Sequence, residues 1–120
     1  MIIVTGASRG IGKAISERLT DKGERVFGLA RSTKSLSIEG IDCDVSDYSS
    51  VKSAARRVKK LGEKVDAVIN AAGVASMNMA VTTDEATVQK LVQTNLVGTI
   101  YCCGGPTSTT WAISLLTWLA

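Results

Sequence analysis

A chain of 120 residues, 45% of them hydrophobic, is long enough to bury one core and too short for more than one ordinary domain. Fourteen Lys and Arg interleave with eleven Asp and Glu to leave a formal charge of +3, which excludes a strongly basic nucleic-acid binder. There is no histidine, and Cys43, Cys102 and Cys103 lack Cys-x-x-Cys spacing, so a zinc site, a Ser-His-Asp triad and a disulfide framework are excluded and a reducing cytoplasm is expected.

Residues 1–5 read as a short buried strand, with no basic stretch and apolar segment of an export signal. Gly6 to Gly12 form a Gly-rich turn. The helix after it carries Ile11, Ala14, Ile15 and Leu19 at helical spacing and stops near Lys22-Gly23. Arg25 to Ala30 is a second strand, residues 31–37 a Ser/Thr/Lys-rich loop, and Ile38 to Cys43 a short third strand. Ser46 or Asp47 caps the next helix, whose inner stripe is Val51, Ala54, Ala55, Val58 and Leu61. Its basic run, Arg56-Arg57-Val58-Lys59-Lys60, reads as a solvated face, and Gly62 ends it. Val65 to Asn70 is a fourth strand. Thr82-x-x-Glu85 has the form of a capping box before a long helix with Val88, Leu91 and Val92 on one face.

Strands alternating with helices predict a three-layer α/β fold: a doubly wound, Rossmann-like parallel sheet with strand order 3-2-1-4. After Lys90 no charged residue occurs in the last 30 positions, and both tryptophans, Trp111 and Trp118, stand in the last ten. Gly104-Gly105-Pro106 interrupts the helix. Residues 111–120 are far too short to span a membrane, and a fifth strand at Ala112 to Trp118 is one reading of them.

The turn Thr5-Gly6-Ala7-Ser8-Arg9-Gly10-Ile11-Gly12 lies directly between strand and helix. Glycine lets the backbone approach a pyrophosphate, and a helix N-terminus offers free N–H groups and a positive dipole end. Glycines at this spacing alone also fit a tight turn without ligand. The site assigned to this region comprises Gly6, Ser8, Arg9, Gly10, Ile11 and Gly12, joined by Arg31, Asp44-Val45 and Asn70-Ala71-Ala72-Gly73.

With Thr-Gly-x-x-x-Gly-Ile-Gly after strand one, Asp44-Val45 after strand three, Asn70-Ala71-Ala72-Gly73 after strand four and Thr94-Asn95-Leu96-Val97-Gly98 on the long helix, the chain resembles the short-chain dehydrogenase/reductase family over residues 1 to about 103. The resemblance implies that Asp44 accepts from the adenine amino group and that Asn70 supports the cofactor ribose region. It implies that Asn95 is the catalytic-site residue that bends the helix and holds a relay water. Asn95 also falls seven residues after Val88 on the apolar stripe, where a core amide satisfied by neighbours is the plain alternative.

NAD binders place an acid at the end of strand two for the ribose hydroxyl. Leu29-Ala30-Arg31-Ser32 has none there, and Arg31 with Arg9 suits a 2′-phosphate, so NADP(H) is expected over NAD(H). The family's Ser and Tyr-x-x-x-Lys belong after this region. The sequence offers only Tyr48-Ser49-Ser50-Val51-Lys52, with Ser35 thirteen residues upstream, at the start of a helix on the adenine side.

The expected division is therefore a nucleotide-binding unit, 1–103, and an atypical apolar tail, 104–120, where the chain departs from its ancestral frame near Cys103 and leaves the sheet incomplete on its C-terminal side. The implied activity is oxidation or reduction of a small carbonyl or alcohol, 3-oxoacyl-type or similar. The expected setting is cytoplasmic, with no nucleic acid, no membrane, and the homo-oligomers usual in the family. The alternatives are a non-catalytic nucleotide-binding remnant or regulatory module and, more remotely, a surface protein using its Trp tail.

Overall fold

The computed structural model describes residues 1–77 and 79–104. Four strands, β1 (Ile2–Thr5), β2 (Val26–Ala30), β3 (Gly40–Asp42) and β4 (Ala67–Asn70), form one sheet in the order β3-β2-β1-β4, all neighbours parallel. Helix α1 (Gly10–Asp21) joins β1 to β2, and α2 (Tyr48–Lys60) joins β3 to β4. After β4 comes a helical rod: α3 (Glu85–Val92), a π turn (Gln93–Val97) and α4 (Gly98–Gly104). This is the expected three-layer, doubly wound arrangement.

Side-chain alternation along the strands builds two cores. Ile3, Phe27, Leu29, Ile41 and Val68 pack on one face with Val51, Ala54 and Val58 of α2, and with Tyr101 and Cys102 of α4. Val4 and Val26 pack on the other face with Ile15 and Leu19 of α1. The register pairs Thr5 with both Leu29 and Asn70, so β1, β2 and β4 end level. Turns leaving that edge are thereby gathered at one place.

Several boundaries differ from the sequence expectation. β2 begins at Val26, β3 at Gly40 and β4 at Ala67. The residues cut from these strands include Arg25, whose guanidinium binds Glu63 through Nε and Nη2 at 3.0 Å each and Glu39 through Nη1 at 2.8 Å. The stripe of α1 is rotated: Ile11 and Ala14 are exposed, while Gly12 and Ser16 are buried beside half-buried Ile15 and Leu19. Small residues let the helix lie close to the sheet, and Ser16 closes its own polarity by donating to the Gly12 carbonyl at 2.7 Å.

In α3, Val88 and Val92 face solvent, as do Leu96 and Ile100 further along, and the inward side is Thr87, Leu91 and Thr94. The capping box does not form. Asp84 is the N-cap and accepts from the Thr87 amide at 2.9 Å, whereas Thr82 bonds back to the Met79 carbonyl at 3.0 Å. A carboxylate is the stronger acceptor for a free helix amide. Of the two candidates for α2, Asp47 caps, accepting from the Ser49 amide at 3.0 Å. The helix break at Gly105-Pro106, the possible fifth strand and the rest of the tail lie outside the described residues.

Arg25 joins the starts of β2 and β3 to the loop before β4. Its guanidinium holds the Glu63 carboxyl below the ordinary carboxylate range. A carboxyl depressed in the folded state contributes stability above its unfolded pKa, about 4.3 for Glu, and loses it as pH falls through the lower folded value. Thermal melts of the native chain and of Glu63→Gln should therefore differ at neutral pH, with the variant melting lower, and converge as pH is brought down to about 3.

Candidate functional site: a nucleotide-sized cleft at the level edge of the sheet

Where the strands end, the turns enclose a cleft of about 460 Å³. Its lining comes from the β1–α1 turn, the end of β2 through Arg31, residues 43–46, residues 71–75, and Lys90 and Thr94 of the helical rod. Gly6, Ser8, Arg9, Gly10, Ile11, Arg31, Asp44, Val45, Ala71, Ala72 and Gly73 therefore meet in one place, as the sequence predicts.

Two glycines are required for different reasons. Gly6 has φ +65°, and a Cβ there would lie 2.7 Å from the Ala72 Cα, so the first turn and the turn after β4 touch backbone to backbone. Gly10 has φ +58° with open space where a Cβ would be. Its conformation needs glycine, and the space beside it is what a ligand backbone would use. Gly12 stands behind the lining, where a Cβ would strike the Gly6 carbonyl.

Thr5 fastens the two turns. It is buried, and its Oγ1 accepts from the amides of Ala71 and Ala72, both at 3.1 Å. Nothing local in the sequence marks Thr5 for this task; its burial and two-fold acceptance arise only once β1 and β4 are neighbours.

The N-terminus of α1 opens into the cleft. Its N-cap, Arg9, is extended and makes no side-chain cap, and the first turn holds no acid. By contrast α2 and α3 are capped by Asp47 and Asp84. The first-turn amides of α1 are left for an anion, which the helix dipole favours. Arg9, Arg31 and Lys90 line the cleft, and none forms an ion pair among the described residues. The one acid in the lining is Asp44, whose Oδ1 accepts from the Ser46 amide (3.0 Å) and hydroxyl (2.6 Å). Its other oxygen is available for a ligand donor. The residues present thus fit a dinucleotide phosphate with a purine end.

Asn70 and Asn95 are not in the lining. Asn70 is buried at the end of β4 and its Nδ2 donates to the Cys103 sulfur at 3.3 Å. Asn95 sits in the π turn. Its Oδ1 accepts from the Val74 amide and its Nδ2 donates to the Val74 carbonyl, both at 2.8 Å. The backbone carbonyl of Asn95 accepts from the Thr99 hydroxyl at 2.8 Å. The side chain therefore clamps the loop after β4 to the helical rod. Two contacts missed in the sequence complete the wall. Gln93 Nε2 donates to the Ser46 carbonyl at 2.9 Å, and a Cβ on Gly98 would lie 3.0 Å from the Val45 carbonyl and Cγ2.

Burial pushes the Cys43 thiol, on the cleft wall, above the ordinary thiol range and pushes Cys102 up to about 12, which favours the protonated form of both at neutral pH.

The fold and the place of the cleft are those of a Rossmann-like, doubly wound α/β protein. The sequence profile of the short chain dehydrogenase family matches residues 1–108, and the chain belongs to that family. It is 31% identical over 103 residues to the 3-oxoacyl-(acyl-carrier-protein) reductase FabG of Escherichia coli, the match covering 78% of this chain and 42% of the relative. Among solved structures it resembles the ligand-free aldohexose dehydrogenase of Thermoplasma acidophilum, with TM-score 0.78, 31% identity, and coverage of 86% of this chain and 41% of that one. It also resembles an alcohol dehydrogenase from the archaeon Thermococcus sibiricus solved with 5-hydroxy-NADP, with TM-score 0.79, 26% identity, and coverage of 86% and 49%. The chain spans less than half the length of the curated relatives it matches. No helix among the described residues is long and apolar enough to cross a membrane.

Thr5→Val keeps the shape of the side chain and removes the acceptor of two part-buried amides. Urea unfolding should show a loss of roughly 1–3 kcal/mol, and Thr5→Ser should recover most of it.

Proposed function

We propose that the chain holds NADP(H) in this cleft, as the nucleotide-binding part of an oxidoreductase that reduces a small carbonyl compound, 3-oxoacyl-type or similar, or oxidises the matching alcohol. The observation that carries the reading is the meeting of an uncapped α1 N-terminus with Arg9 and Arg31, in a cleft whose β2 edge bears no acid. The α1 amides and Gly10 would take the diphosphate. Arg31 and Arg9 would take a 2′-phosphate, and Asp44 with Val45 the adenine. Residues 70–73 would border the inner ribose, with Thr5 and Asn95 holding that segment in place. Family membership, and the NADP-type ligand of the Thermococcus neighbour, support the same cofactor class.

A bound nicotinamide supplies a hydride at its C4 carbon. The proton must come from the protein, and among the described residues no tyrosine lines the cleft. Tyr48 opens α2, half exposed, with its ring edge-on to Tyr101 at 5.2 Å between centroids, and neither ring lines the cleft. That favours a second reading for these residues on their own: nucleotide binding without turnover, as a remnant or regulatory module. In both readings residues 1–103 are the binding unit, 104–120 is an apolar tail, and the setting is cytoplasmic. The ligands are small molecules, and neither nucleic acid nor membrane takes part.

Fluorescence titration with NADPH and NADH tests the cofactor assignment. NADPH should bind at least about tenfold more tightly, a difference of about 1.4 kcal/mol, and Arg31→Ala should bring the two to near parity. Equal affinities for the native chain would overturn the preference. NADPH oxidation with simple ketones separates the two functional readings: turnover supports the complete oxidoreductase, and tight binding without turnover supports the module.

A further inference from the structure

Lys90 belongs to none of the four motifs, yet it lines the cleft one helical turn before Thr94. It is the last charged residue of the chain. No carboxylate pairs with it among the described residues. Its turn of helix is held against the strip after β3: Gln93 donates to the Ser46 carbonyl at 2.9 Å, and Gly98 lies on Val45. Asp44 is on that same strip, with Oδ1 committed to Ser46. The lining of the cleft therefore includes both a carboxylate, Asp44, and a lysine, Lys90.

We propose that Lys90 is a base-reading residue: its ammonium donates to an unprotonated ring nitrogen of the purine whose amino group is accepted by Asp44. The inference rests on the nucleotide reading above. Adenine carries an amino donor beside ring-nitrogen acceptors, so one acceptor and one donor from the protein match it. Uracil has no amino group and no unprotonated ring nitrogen, and a pyrimidine reaches less far. Lys90 thus adds specificity for the base, whereas Arg9 and Arg31 answer to phosphate charge.

The test uses the full chain with ADP and UDP, which carry equal charge, and compares native protein with Lys90→Met and Lys90→Arg by calorimetry. Lys90→Met should weaken ADP about tenfold, the lower end of what a hydrogen bond to a charged group contributes. It should leave UDP within about twofold, and Lys90→Arg should retain most of the ADP affinity. Lys90 is exposed, so the variants should melt with the native chain. Unchanged ADP affinity in Lys90→Met overturns the inference. Equal weakening of ADP and UDP also overturns it, since Lys90 then acts through charge alone. Failure of the native chain to bind ADP at all overturns the nucleotide reading and this inference together.

Discussion

The structure depends on the backbone contact between two turns that leave neighbouring strands at the same level. Thr5 and Asn70 are register partners, so the chain after β1 and the chain after β4 emerge side by side. Gly6 has no side chain to hold them apart, Thr5 binds the amides of Ala71 and Ala72, and Gly12 lets α1 close onto the Gly6 carbonyl. Each contact fixes the next. The tight turn aims α1 with its amides toward the cleft, and the same turn sets where residues 71–75 can run. A larger side chain at position 6 or 12 would separate these pieces and move the helix end away from the space beside Gly10. The shape of the cleft beside Gly10 is thus a consequence of how closely two backbones approach.

A second fastening acts from the opposite wall. The π turn widens the helical rod by one residue, and such turns occur mostly as single-turn bulges inside α-helices, frequently at functional sites. Here it carries Asn95, whose amide group matches the N–H and C=O of Val74 as a strand partner would. Gln93 and Gly98, on either side, bring the same rod against Ser46 and Val45. The loop after β4 and the strip after β3 are therefore both referred to one helix. Asn95 is the satisfied amide of the plain reading, and it sits in a π turn of the rod.

Much of this was legible in the sequence because its signals are local. Alternating strands and helices pointed to the sheet order, and the Gly-rich turn with the four motifs singled out eleven residues that line the cleft. What escaped was set by tertiary contact. The stripe of α1 follows Gly12 and Ser16 because small residues permit close packing, and hydrophobic spacing reads Ile11 as core when it is exposed. Thr82 and Glu85 satisfy the capping pattern, but Asp84 is nearer the helix start and binds more strongly. Arg25 has the right neighbours for a strand residue, yet its position is decided by two glutamates distant in sequence. Lys90 gives no local signal, since a lysine on a helix ordinarily faces water.

Under the proposed function, holding a nucleotide and moving a proton fall to different residues, and the division follows from residue chemistry. Its lining contains three fixed cations, backbone amides, one carboxylate already bonded to Ser46, and a thiol that burial keeps protonated. Arginines and backbone amides suit phosphates, and a lysine and a carboxylate suit the polar edge of a base. The tyrosines meet edge-on beside α2, and Tyr101 packs against the core under α4. An arrangement of this kind can position a cofactor with its base, ribose and diphosphate each addressed by different groups. It leaves the reacting end to be completed by residues other than those that build the cleft.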